Sequence, residues 1–128
     1  MYVADTHAFL WFLTEDKKLG KKAREIFESC DKDEVIIVIP TIVLMESLLI
    51  CERKKLDLRF KRILAKIQNS LNYPVYPLDV EVVSICQELK QFSDLHDRII
   101  VATAKMLDAA LITKDRGIRQ AKVVKTVW

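Results

Sequence analysis

Glycine is almost missing from this chain, with two in 128 residues, Gly20 and Gly117, and proline is nearly as scarce, with three. Two glycines cannot build a Gly-rich loop that cradles phosphates, so nucleotide-binding folds of that kind are excluded. With 51% hydrophobic and 30% charged residues, so few chain breakers describe a compact, helix-rich fold and argue against disorder. Cysteine is odd in number: Cys30, Cys51 and Cys86 are widely separated, lack CxxC spacing and fall inside expected helices. That pattern excludes a disulfide framework and fits a reduced, cytoplasmic chain. No apolar run approaches the roughly 20 residues of a membrane span, and the chain enters its first strand without a signal-peptide pattern. A non-membrane, intracellular protein is expected. Charge of one sign is lacking too: the net charge of +3 neither demands nor excludes nucleic acid, so the placement of the charges must decide. Internal repeats, linkers and low-complexity segments are absent, and the length suits one domain spanning 1–128.

What the chain does have is a stretch bracketed by acids, Ser93 to Asp115. Asp94 reads as a helix N-cap, which puts Asp97 in the first turn at the positive end of the helix dipole. Ile99, Ile100, Thr103, Met106 and Leu107 recur at helical spacing, and Ala109 to Thr113 reads as a short apolar strand. Lys114-Asp115-Arg116-Gly117 then turns the chain, leaving Asp115 just past the carboxyl end of a strand, where open parallel sheets bind ligands.

The preceding chain alternates in the same way. Tyr2 to Asp5 is a short strand that stops at an acid, and His7 to Leu13 is a helix apolar on every face, read first as core and second as part of an interface. Lys17 to Cys30 is amphipathic, with Ala23, Ile26 and Phe27 inward. Val35 to Ile39, ended by Pro40, has the continuous β-branched character of a strand buried on both faces. Thr41 suits the N-cap of the next helix, which carries Glu46 among Leu44, Met45, Leu48 and Leu49. A carboxylate there is either paired or bound, or else turned outward to water. Arg53 to Lys66 interleaves seven basic residues with leucines and isoleucines; a solvated helix face is the first reading and phosphate contact the second. Val75 to Leu78 is a third strand, Asp79 caps a helix running to Phe92, a short helix with Ile118 and Ala121 follows Asp115, and Val123 to Val127 closes the set.

Alternating strands and helices call for an α/β fold, a three-layer α/β/α sandwich on a mainly parallel, five-stranded sheet with right-handed crossovers. If strands one and four are neighbours at the switch point, Asp5, Glu46, Asp97 and Asp115 converge on one edge. Carboxylates so gathered repel one another, so some protonate or a cation neutralises them. Oxygen-only ligands with no Cys/His zinc spacing select Mg²⁺ or Mn²⁺. His7 and His96 each stand beside an acid, a position more often supporting than ligating. Such a site activates water and clamps phosphate oxygens, and phosphodiester hydrolysis is the natural chemistry.

Asp5-Thr6-His7 with Trp11, then Glu46, then His96-Asp97-Arg98-Ile99-Ile100-Val101-Ala102-Thr103-Ala104, then Ile112-Thr113-Lys114-Asp115, taken in that order, resemble the PIN domain, and VapC-type toxins in particular. The resemblance spans nearly the whole chain. It implies a metal-dependent endoribonuclease whose acidic site is Asp5, Glu46, Asp97 and Asp115, with Thr6 or Thr113 as supporting hydroxyls. Asp94 is a further acid near the site, a cap first. The likeness to VapC-type toxins also implies a homodimer and a cognate antitoxin whose segment occupies the acidic groove. For an RNA substrate, Arg98, Lys114 and Arg116, and then the Arg53 to Lys66 segment, would hold the backbone. The alternatives are a catalytically silent PIN-like RNA-binding or scaffold subunit and a receiver-like module. The receiver reading fails for want of an acidic pair after strand one and a phosphoacceptor after strand three. A haloacid-dehalogenase-like phosphatase needs an Asp where His7 stands.

Overall fold

The computed structural model describes residues 1–128. In chain order it contains β1 (Tyr2–Ala4), α1 (Thr6–Leu13), α2 (Lys21–Asp31), β2 (Ile37–Pro40), α3 (Thr41–Glu52), α4 (Phe60–Gln68), β3 (Val75–Tyr76), α5 (Val80–Cys86), α6 (Leu95–Met106), β4 (Ala110–Ile112), α7 (Arg116–Ala121) and β5 (Thr126–Val127). The strands form one sheet in the order β3-β2-β1-β4-β5. Every neighbouring pair is parallel, so the expected mainly parallel sheet is wholly so.

β1 is central, with Val3 and Ala4 fully buried and Tyr2 half-buried at its start. It pairs with β2 through Tyr2↔Ile37 and with β4 through Val3↔Leu111. Strands one and four are therefore neighbours, and the switch point lies between them. All four residues of β2 are buried, which explains its unbroken apolar sequence. The helices cover both faces in the three-layer arrangement. α6 is the most enclosed of them, with every residue from Ile99 to Ala104 buried and neighbours in α5, α3, β1 and β4. Its small Ala102 and Ala104 let it sit close against the sheet. On α1 the buried set is Thr6, Ala8, Phe9, Leu10 and Leu13, so the helix is not enclosed on all sides: His7 is exposed and Trp11 half-buried.

Several boundaries differ from expectation. α2 begins at Lys21 instead of Lys17, because Asp16 Oδ1 accepts the Lys18 N–H at 2.8 Å and holds a turn there. Thr41 is not a cap. Pro40 occupies that position, and the Thr41 hydroxyl donates to the Tyr76 carbonyl at 2.8 Å, tying α3 to β3. Arg53 to Lys66 is not one helix: α3 ends at Glu52 and α4 starts at Phe60, with Arg53 to Arg59 in the connection. α5, capped by Asp79 Oδ1 as expected, stops at Cys86 because its last turn tightens into Glu88→Ile85 and Leu89→Cys86 backbone bonds.

Glycine scarcity leaves a visible mark. Glu15, Asp33, Lys54 and Asp108, each two residues past the end of a helix, have φ of 53°, 62°, 52° and 48°. Helices commonly end in this left-handed conformation on glycine, and an L side chain there costs roughly 1 kcal/mol.

Candidate active site

Of the four helices capped by an aspartate, three bring that aspartate to one cavity. Asp5, just past β1, caps α1 by accepting the Ala8 N–H at 2.8 Å. Asp94 caps α6 through the Asp97 N–H at 3.0 Å, and Asp115, past β4, caps α7 through the Ile118 N–H at 2.8 Å. The Asp94 cap was legible beforehand. That Asp5 and Asp115 cap as well was not, although an aspartate before a helical run is the signal for it. Each spends one oxygen on its helix, and the positive ends of the helix dipoles favour anions nearby.

Glu46 arrives from the second turn of α3. It faces inward and is paired, so of its two readings the outward one is excluded. The buried Thr6 hydroxyl donates to Oε1 at 2.6 Å, and His96 Nδ1 lies 3.3 Å from Oε2 and 3.9 Å from Asp94 Oδ1. Asp97, on the first turn of α6, receives no hydrogen bond from the protein at its carboxylate.

Asp5, Thr6, His7, Trp11, Glu46, Asp94, Asp97, Ile100, Lys114 and Asp115 line one cavity of about 470 Å³. Of the residues singled out in the sequence, the cavity gathers Asp5, Glu46, Asp97, Asp115, Thr6, Asp94 and Lys114. Arg98 is not among its lining; its Nε donates to the Phe92 carbonyl at 2.9 Å. Thr113 is fully buried behind the site, where its hydroxyl accepts the Asp115 N–H at 3.0 Å. Arg116 is exposed outside the cavity. Ile100 and Trp11 are lining residues to which sequence reasoning gave no role of their own. For Trp11 the signal was its spacing of four from His7, which puts the two on one face of α1.

The electrostatics follow from the crowding. Burial pushes the Asp97 carboxyl from 3.8 up to about 6, and the charges of Asp94, Asp115, Glu46 and Asp5 add to the rise. Asp5 is also raised, first by burial; the Thr113 hydroxyl, the Ala8 N–H and His7 pull it back, and Asp115 raises it further. A cluster in which the acids raise one another is short of positive charge.

No three His, Cys, Asp or Glu side chains close on a single point; the acids surround the cavity without enclosing an ion. The donors are nonetheless all oxygen, and Mg²⁺ or Mn²⁺ keeps several waters and binds through one or two carboxylates. The residues present fit such an ion.

A larger cavity, about 1180 Å³, lies by the loops that precede β2 and β3, among Glu28, Asp31, Arg24, Arg62 and Lys66. Its central acid is neutralised: Lys66 Nζ stands 2.7 Å and 2.8 Å from the Asp31 oxygens, and the Tyr73 hydroxyl donates to Asp31 at 2.7 Å.

Among known proteins, the model of the PIN domain matches residues 2–124. No curated protein matches the sequence. Similar solved structures include VapBC2 from Rickettsia felis bound to a DNA fragment from their promoter, with a TM-score of 0.75 at 16% identity over 99% of this chain and 98% of that one. FitAcB from Neisseria gonorrhoeae gives 0.70 at 19% identity over 100% and 97%. A toxin–antitoxin complex from Klebsiella pneumoniae gives 0.73 at 17% identity, again over 100% and 97%. At such identities the likeness is one of fold. No helix here is long and apolar enough to cross a membrane.

Proposed function

The chain belongs to the PIN-domain family, and we propose that it is a Mg²⁺- or Mn²⁺-dependent endoribonuclease, the toxin of a toxin–antitoxin pair acting in the cytoplasm. The observation that carries this reading is the uncompensated acid cluster: carboxylates from the ends of β1 and β4, from α3 and from α6 line one cavity, where burial first, and then the neighbouring acids, raise Asp97. A fold keeps such an arrangement at a cost in stability, which a cation-dependent activity accounts for.

In this mechanism Asp5, Glu46, Asp97 and Asp115 would hold the ion directly or through water, and the chemistry it would supply is neutralisation of phosphate charge and acidification of an attacking water. The Thr6 hydroxyl holds one carboxylate oxygen of Glu46, with His96 beside the other; a supporting hydrogen bond of this kind is typically worth about 10–100-fold in metal affinity. Asp97 retains a proton on a carboxyl oxygen below about pH 6 and gives it up when positive charge enters the cavity, so binding releases protons. Lys114, on the rim, meets the RNA backbone as a point charge. The same reading includes a homodimer and a cognate antitoxin. The antitoxin is supported by the solved neighbours that are toxin–antitoxin complexes.

RNA incubated with purified protein and Mg²⁺ or Mn²⁺, set against EDTA and against Asp97→Asn, tests the proposal. Cleavage that needs both the ion and Asp97 is expected. A folded protein that binds the ion and cuts no RNA pool would replace this reading with a silent RNA-binding or scaffold subunit, the alternative favoured by the acids not closing on one point.

A further inference from the structure

The lining of the acidic cavity also contains residues of different chemistry, His7, Trp11 and Lys114. The Trp11 ring carries two cations: Lys18 Nζ lies 5.6 Å from its centroid and Lys114 Nζ also 5.6 Å. The His7 ring is tilted against it at 5.4 Å. Trp11 packs against the core with part of its ring and leaves the rest open, standing outside the buried set of α1. It is held in place from one edge. Trp128 packs edge-on at 5.8 Å, and Trp128 is itself wedged against Gly20, where an added Cβ would lie 2.6 Å from its ring and carbonyl carbon. The result is a fixed aromatic surface at the mouth of an acidic site, flanked by ammonium groups on mobile stems.

We propose that Trp11 is a nucleobase platform: its indole stacks one base of a single-stranded RNA lying across the acidic cavity, while Lys18 and Lys114 take the adjoining phosphates. This rests on the nuclease reading and adds to it a base-binding subsite. Magnitudes favour the base over the lysines. An exposed cation over a ring gains about 2–5-fold in affinity, whereas base–aromatic stacking gains roughly 5–100-fold per base. A base therefore displaces an ammonium from the ring face, and the freed lysine is left beside the phosphate it can neutralise. Stacking is tolerant of sequence, because every base has a π-face, so this subsite fixes the register of the strand and does not select its bases.

The test uses the full chain with Asp97→Asn to stop cleavage, and a labelled single-stranded RNA read by fluorescence anisotropy. Adding Trp11→Leu is expected to weaken binding by about 5–100-fold, and adding Trp11→Phe, which keeps a ring, by no more than about 3-fold. An RNA with an abasic position at the stacked nucleotide should lose the difference between tryptophan and leucine. Equal affinity of the leucine and parent proteins would overturn the platform while leaving the nuclease standing. A parent that binds no RNA, and a wild type that cuts none, would remove both. Should the leucine variant fail to fold, Trp128→Phe leaves Trp11 as the sole indole: emission quenched on RNA binding supports the platform, and unchanged emission at saturating RNA refutes it.

Discussion

Asp31 and Asp97 are the same side chain in opposite circumstances. At the edge of the sheet where β2 and β3 begin, Asp31 accepts from Lys66 and from the buried Tyr73 hydroxyl. At the edge where β1 and β4 end, Asp97 accepts from nothing, and burial, with the charges of four other acids added, lifts it to about 6. The cavity beside Asp31 is more than twice the volume of the one beside Asp97. Size and charge balance point to different edges: the larger cavity holds a paired acid, and the smaller one holds acids that raise one another.

The sharpest way to break this comparison is to make the same change at both ends. Asp5→Asn should lower RNA cleavage at least about 100-fold with the fold intact by circular dichroism, while Asp31→Asn leaves the rate unchanged. Equal rates for wild type and Asp5→Asn would dissolve the distinction. Next in size, Thr6→Val takes the donor from Glu46 Oε1 and should cost roughly 10-fold in metal affinity by calorimetry, with Thr6→Ser restoring most of it.

A third test reads stability. A carboxyl whose folded pKa lies above its unfolded value binds its proton more tightly in the fold. Asp97 therefore supports the metal-free fold at low pH, and that support is lost as pH rises through about 6. At about 1.4 kcal/mol per pKa unit, reduced by more than half for solvent screening, the effect at neutral pH is about 1 kcal/mol. Asp97→Asn without divalent ions should accordingly melt about 3–5 °C higher than wild type at pH 7 and lose that advantage near pH 4. Added Mg²⁺ should close the gap by stabilising wild type alone. At the other edge Asp31→Asn should instead lower stability, by under about 1 kcal/mol, as for a partly exposed ion pair. The smallest effect is Lys54→Gly, at a residue that lines neither cavity; it relieves a left-handed φ of 52° and should add about 0.5–1 kcal/mol in a denaturant melt.

Much of the fold could be read from the residues because each rule acted locally. The continuous β-branched run around Val38 demanded a doubly buried strand, and Asp79 and Asp94 announced the helices they cap. The meeting of Asp5, Glu46, Asp97 and Asp115 around one cavity followed from strand ends and a parallel topology, with no side-chain detail required. Illegible were features set by contacts distant in sequence. Thr41 looked like a cap because its carbonyl partner, Tyr76, lies 35 positions away. Arg53 to Lys66 looked like one helix because leucine spacing persists across a connection broken by a left-handed Lys54. Arg98 looked like a rim cation until the Phe92 carbonyl claimed it. Trp11 gained its surroundings from Lys114 and Trp128, at the far end of the sequence.

The pairing of β1 with β4, Tyr2 with Ala110, has a consequence for the order of events during synthesis. The first strand emerges early and stays open on one side until nearly the whole chain has followed it, and contacts so distant in sequence form slowly. Asp97 and Asp115 arrive in the same late portion as β4. No truncated chain lacking that portion holds the four acids together, so the site is assembled only when β4 has joined β1.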